Sequence, residues 1–272
     1  MRRRQYLTSL GALGASASPF IGSATADDSV SAAEAGIHDR VADLLLEARV
    51  QEAQELLGKH NVRYGIQRQR ISGDSQKDST ANTGISTLGH YDDADSQLIM
   101  SVVESYNDRW MVTASMSLQD RTLSGRDASI VDDGFGIVYD SSEWSAPEPT
   151  ENGVKTYSRT AADGSASLEY QDFAPEKGLA YDVDLPYLLN GETTVSLQTD
   201  LKQVDSGNND IPVKAEYKHT WAFLEQPGFL PGLGLEATAG IGPIGVTMDL
   251  TNCTILWEDE VSAQPNEYNK TT

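Results

Sequence analysis

Trp110-Met111-Val112-Thr113-Ala114-Ser115-Met116-Ser117-Leu118 decides the fold. Trp110, Val112, Ala114, Met116 and Leu118 alternate with Met111, Thr113, Ser115 and Ser117. A period of two puts the first set on one face of an extended chain, and this predicts a half-buried strand. The same alternation recurs at Leu179, Tyr181, Val183 and Leu185, at Val195, Leu197, Thr199 and Leu201, and at Tyr217, His219, Trp221 and Phe223. Further strands are predicted over 97–105, 128–139, 154–160, 165–173, 235–239, 244–249 and 253–261. Asp163-Gly164, Asn190-Gly191 and Asp205-Ser206-Gly207-Asn208-Asn209-Asp210 supply turns between them. Many short strands without intervening helical periods predict a mainly β fold, an antiparallel β-sandwich or jelly roll spanning residues 96–261.

Outward from that core the chain changes character. Residues 27–62 read as a helical prefix. Ile37, Val41, Leu44, Leu45 and Ala48 share one face, and the stripe then shifts to Val50, Ala53, Leu56 and Leu57. The phase change at Ala48-Arg49-Val50 fits either one bent helix or a short helical hairpin, packed on the rest of the chain or on a partner. Residues 63–95 read as an edge strand and a polar linker. Arg63, Arg68 and Arg70 make the strand locally basic, which fits either an anion-binding strand or an edge whose arginines neutralise nearby carboxylates. Gly228–Gly245 is rich in glycine and alanine without a phosphate-loop pattern, so it is read as a closely packed or sharply bent strand. Residues 262–272 are polar and expected to fray.

The first 26 residues read as an export signal. Arg3-Arg4-x-Tyr6-Leu7 precedes a weakly apolar stretch of about a dozen residues, Leu10–Ile21, too short to span a bilayer. Ala24-Thr25-Ala26 places cleavage after Ala26. The whole chain holds 41 acidic and 20 basic residues, a net charge of −21, and losing Arg2, Arg3 and Arg4 makes it three units more negative. With no acidic tail, the charge acts as a solvation device: carboxylates hold water, and molar salt shortens the screening length to roughly 3 Å. Residues 1–26 and the acidic bias of the whole resemble haloarchaeal twin-arginine-exported extracellular proteins. The resemblance implies secretion of an already folded chain into strong brine, and it covers no domain of known activity. The charge excludes a nucleic-acid partner, which needs a basic face. No later apolar run reaches the roughly 18 residues of a transmembrane helix. One cysteine, Cys253, excludes an intramolecular disulfide and reads as a buried thiol.

The acidity also dilutes every carboxylate pattern, because Asp and Glu pairs arise everywhere by chance. His38, His60, His90 and His219 lack paired zinc spacing, and no Gly-x-Ser-x-Gly elbow occurs. The one cofactor suggested is calcium, with Asp205, Asn208 and Asp210 as loop ligands; Asp92-Asp93-x-Asp95 is a similar loop. Trp144 and Tyr187 border turns and are the candidates for stacking on a sugar, while Trp110, Trp221 and Trp257 read as core. Asn252 and Asn269 each begin a glycosylation acceptor triplet. The expectation is an exported, salt-adapted, non-catalytic binding or structural protein whose ligand is a glycan or a surface protein. One alternative is a secreted jelly-roll hydrolase with a carboxylate pair acting on polysaccharide. Another is an assembly protein that docks a partner through the N-terminal helix.

Overall fold

The decisive alternation forms β4 (Arg109–Leu118), hydrogen-bonded along its length to β3 (Gln97–Tyr106) and β11 (Thr193–Gln203). This computed structural model describes residues 29–71, 89–90, 96–119, 122–123, 133–146, 153–160, 166–174, 177–185, 192–204, 211–221, 234–239, 246–251 and 254–265. The first sheet runs from β1 (Tyr64–Arg70) through β3 and β4 to β11. Beyond β11 lie β8 (Lys155–Thr160), against its first half, and β7 (Trp144–Ser145), against its end. The second sheet has the order β15 (Thr254–Ala263), β12 (Val213–Trp221), β6 (Asp133–Val138), β10 (Gly178–Asp184) and β9 (Ser167–Ala174). A separate antiparallel pair, β13 (Gly234–Ala239) and β14 (Val246–Thr251), lies against β6, β9 and β10. A two-residue bridge joins β2 (Gly89–His90) to β5 (Thr122–Leu123). All the ladders between strands are antiparallel, and the fold is the expected β-sandwich.

Period-two parity puts Trp110, Val112, Ala114, Met116 and Leu118 on the inner face, where they meet Phe135, Ile137, Leu179, Tyr181, Val213 and Tyr217 of the opposite sheet. Each such side chain taken fully from water contributes about 1.5–3 kcal/mol, against the entropy of ordering the chain. The opposite parity was expected to face solvent. Instead Thr113 and Ser115 are buried beneath the N-terminal helices, and Ser117 is buried at the end of the strand beside them. β4 is thus buried on both sides.

The cover is a helical hairpin, α1 (His38–Leu46) and α2 (Val50–Lys59), which resolves the phase shift at Ala48. Both helices close in the same way. At the end of α1, Arg49 N donates to Leu44 O at 2.8 Å and Ala48 N to Leu45 O at 3.0 Å, with Ala48 at φ 54°. At the end of α2, Val62 N donates to Leu57 O at 3.1 Å and Asn61 N to Gly58 O at 3.3 Å, with Asn61 at φ 57°. These are Schellman closures, in which a left-handed residue satisfies the last carbonyls and turns the chain sharply. The helix begins at His38 rather than near residue 27. Gly36, at φ 69°, ends a preceding turn whose amides bond to Ser31, Ala32 and Ala33 carbonyls. Val41, Leu44, Leu45, Ala53 and Leu57 pack on Tyr64, Ile66, Ile99, Val103 and Met111 of the sheet. Their apolar stripe is turned toward the sheet. None of the helices among the described residues is long and apolar enough to cross a membrane.

The two sheets meet at one edge, where β15 passes beside β1. β15 continues to Ala263, which is fully buried, so residues 262 and 263, expected to fray, belong to the second sheet. The meeting is close: a Cβ on Gly65 would lie 1.7 Å from Gln264 O. Gly65→Ala should therefore push the edge apart and cost at least about 1–3 kcal/mol in chemical denaturation at constant high salt. Ala48→Gly should do the reverse and stabilise by roughly 1 kcal/mol, since glycine adopts a left-handed cap without a Cβ penalty. A neutral Gly65→Ala, or a destabilising Ala48→Gly, would contradict this account of the two positions.

Candidate functional site

Directly paired residues of antiparallel strands point to the same side, so the register defines rows on the outer face of the first sheet. The first is Tyr64, Val103, Met111 and Asp200; the second Ile66, Ser101, Thr113, Gln198 and Lys155. The third is Arg68, Ile99, Ser115, Ser196 and Tyr157; the fourth Arg70, Gln97, Ser117, Thr194 and Arg159. The face grades from apolar to polar along the strands. The helical hairpin lies on its apolar part and is keyed to it by buried hydrogen bonds. Ser115 Oγ donates to Leu45 O at 3.2 Å, and Ser196 Oγ to Ser115 Oγ at 2.9 Å. Gln198 Nε2 donates to Ala42 O at 3.3 Å and to Thr113 Oγ1 at 2.9 Å. Small hydroxyl residues suit this seam, since they let helix backbone approach the sheet while satisfying each other.

Past the α1–α2 turn the cover stops and a cleft of about 400 Å3 opens. Ile99 and Ser117 form its floor and Ala48 one wall, with Arg68, Gln97, Gln119 and Glu192 around them. Ser117 Oγ donates to Glu192 Oε1 at 2.8 Å and so orients that carboxylate. Gln119 N donates to Ser96 Oγ at 3.0 Å, fixing the strand end. The cleft thus presents one guanidinium, two amides and one carboxylate, all planar groups with paired donors or acceptors. A glycosidase needs two facing carboxylates; the described lining contributes one. Gln97, Ser117, Gln119 and Glu192 escaped the sequence reading because single polar residues at strand ends look like ordinary solvated positions. Ser117 and Gln119 do continue the outward parity of β4, which was the available signal.

Of the two expected roles for the basic stretch, neutralisation of a carboxylate is seen at Arg63. Arg63 neutralises Glu104 through a two-pronged pair, Nε to Oε2 and Nη2 to Oε1, each 2.7 Å, and lies 5.2 Å from the Trp110 ring centroid. Arg68 and Arg70 are exposed and form no ion pair among the described residues.

Trp144 is corrected as a sugar-stacking candidate. It is fully buried and meets Trp110 edge-on, with centroids 6.4 Å apart at 87°. The preceding turn accounts for its position: the Asp140 carboxylate accepts Ser142 N and Oγ, each at 2.8 Å, while Trp144 N donates to Asp140 O at 2.8 Å. Those bonds fold the chain back and carry the indole into the core. The other candidates, Arg3, Arg4, Ala26, Tyr187, Asp205, Asn208, Asp210, Asn252 and Asn269, lie outside the described residues, as do the Asp92 loop and Cys253. Among the described residues, no three His, Cys, Asp or Glu side chains are grouped to hold a metal.

A second charged array lines β12 and β15. Lys214 pairs with Glu216 and, at 3.0 Å, with Glu260; Lys218 lies 3.5 Å from Glu258. Lys214, Glu216 and Lys218 are buried, while Glu258 and Glu260 are exposed and reach the two lysines from β15. Burial depresses the Lys214 pKa, but Glu216 and Glu260 outweigh it and hold the ammonium above the usual lysine value. Burial also pushes the Tyr139 phenol above its usual range.

No family model matches the chain, and no curated protein matches it. Among solved structures, one from a study of pH-induced modulation of Streptococcus parasanguinis adhesion by Fap1 fimbriae is 12% identical; the match covers 64% of this chain and 82% of that one, with a TM-score of 0.28. AvmM, which catalyses macrocyclization in alchivemycin A biosynthesis, is 16% identical over 59% of this chain and 82% of its own, with a TM-score of 0.22. Likeness at this level identifies no shared activity.

Both raised pKa values act in the same direction on stability. The folded state holds these protons more tightly than the unfolded chain does. Their contribution is complete below the ordinary Lys and Tyr values, about 10, and is lost as pH rises through the folded values. The melting temperature, followed by circular dichroism in constant molar salt, should fall above about pH 10, and Tyr139→Phe should flatten part of that fall. An unchanged profile in the variant would refute the assignment to Tyr139.

Proposed function

We propose that this chain is an exported, salt-adapted, non-catalytic binding protein that works outside the cell or on its surface. Its ligand is a glycan or a surface protein carrying polar groups. The observation that carries the reading is the solvent-open cleft at the end of the first sheet, with Arg68, Gln97, Gln119 and Glu192 around the Ile99 and Ser117 floor. Ligand sites are concave, with a few polar groups that fix orientation on an apolar base. Amides, a guanidinium and a carboxylate match the alternating donors and acceptors of a polyhydroxylated surface. Export is supported by the Arg3-Arg4 motif, the weakly apolar stretch after it and the small-residue site ending at Ala26. Salt adaptation is supported by the charge of −21.

Two measurements test this. The mature protein should sediment with isolated cell envelopes or insoluble polysaccharide in molar NaCl, and Gln97→Ala/Gln119→Ala should weaken that retention roughly thirtyfold, two neutral hydrogen bonds at about 1 kcal/mol each being lost. Absence of retention, or full retention by the double variant, would sink the reading. Separately, dilution from molar to about 0.1 M NaCl lengthens screening from roughly 3 to 10 Å and should lower the melting temperature. A melting temperature independent of salt would remove the claim of adaptation.

A further inference from the structure

We propose that the free side of β8 is a strand-addition site for an acidic, extended segment of a partner protein, a surface separate from the cleft and beyond the reading given to it. β8 is the outermost strand of the first sheet over the six residues Lys155–Thr160, hydrogen-bonded to β11 on one side. Among the described residues its backbone forms no hydrogen bond on the other side. None of its residues is buried, whereas every other strand of the sheet buries at least one. The opposite edge of the sheet is covered, since β1 lies beside β15 with Gly65 against Gln264. β9, the strand that follows β8 in the chain, joins the second sheet instead of folding back to pair with it. Ala166 N donates to Thr160 Oγ1 at 3.1 Å near that crossing.

An open edge is a template, because every second residue directs its N–H and C=O outward. Six residues give about 20 Å of it. The side chains select what adds. Lys155, Tyr157 and Arg159 stand on the outer face, opposite Gln198, Ser196 and Thr194, while Thr156, Ser158 and Thr160 stand on the other. The strand carries two cations and no carboxylate, in a chain with 41 acidic residues. Residues paired directly across an antiparallel ladder share a face, so an added strand with Asp or Glu four positions apart sets one opposite each cation. A second copy fits poorly: two β8 strands paired about Tyr157 set Lys155 opposite Arg159 twice. Molar salt leaves this recognition intact. Screening within roughly 3 Å spares contact pairs, and the main-chain hydrogen bonds join neutral groups.

The test is fluorescence anisotropy, in molar NaCl, of the labelled peptide Thr-Glu-Thr-Val-Thr-Glu-Thr and its Lys-for-Glu counterpart added to the mature protein, with amide hydrogen exchange to locate them. The Glu peptide should bind at least roughly tenfold more tightly than the Lys peptide and slow exchange across residues 155–160. Lys155→Glu/Arg159→Glu should invert the preference; both side chains are exposed, and an unchanged melting temperature confirms folding. Glu peptides N-methylated at every second residue should lose binding in one of the two phases, because only one edge of the added strand faces β8. Equal binding in both phases shows charge attraction without a ladder and overturns the proposal, as does a preference that the charge reversal leaves unchanged. No binding of either peptide at millimolar concentration also overturns it, and leaves the cations as a guard against strand pairing. Protection of residues 155–160 that grows with protein concentration alone assigns the edge to a second copy and overturns the acidic partner. The reversal variant should still sediment with polysaccharide, so the edge and the cleft fail separately.

Discussion

A strand at the centre of a sandwich has one face in the core and, by default, one in water. In β4 both faces are buried, and much else in the molecule is arranged around that condition. A sheet face carrying Met111, Val103 and Ile66 at one end exposes apolar surface unless something lies on it. The helical hairpin meets the requirement with Val41, Leu44, Leu45, Ala53 and Leu57. Once it is there, Thr113, Ser115, Ser196 and Gln198 lose their water and must find partners, because an unpaired buried polar group costs about 1–3 kcal/mol. The α1 carbonyls of Ala42 and Leu45 provide two of these. Register between helix and sheet is therefore specified by hydrogen bonds as well as by shape.

The same condition defines the cleft. Two short helices joined at Ala48 cannot cover a strand of ten residues from end to end, and the uncovered remainder is the polar end of the sheet. The left-handed Ala48 turns the chain back beside Ile99 and Ser117, where the cleft lies. The polar gradient in the sequence of β1 follows this division, with Tyr64 and Ile66 under the helices and Arg68 and Arg70 beyond them. The cleft and the structural cover thus derive from one division of a single sheet face.

Much of this was legible in the sequence, and the remainder was hidden for identifiable reasons. The inner face of β4 follows from parity alone, and the phase shift at Ala48-Arg49-Val50 marks the helical turn. Parity does not say whether the outward side meets water, and Ser and Thr fit a solvated face as well as a hydrogen-bonded seam. Trp144 borders a turn in sequence, yet the Asp140 turn carries it inward; its neighbours do not encode that direction. Glu192 acquires meaning only from Ser117, 75 residues away in the chain and adjacent across the ladder.

In so acidic a protein the informative charges are the positive ones. Carboxylates outnumber Lys and Arg 41 to 20, so their clustering discriminates little, whereas each Lys or Arg is the rarer group and calls for a reason. Burial supplies it for Lys214 and Lys218, and Arg63 compensates Glu104, which would otherwise be a charge held almost wholly out of water. Removing one partner of such a pair costs far more than the pair contributes, so these cations are retained for structure. Arg68, Arg70 and Arg159, like Arg40, Lys59 and Lys155, are exposed and compensate no buried group among the described residues.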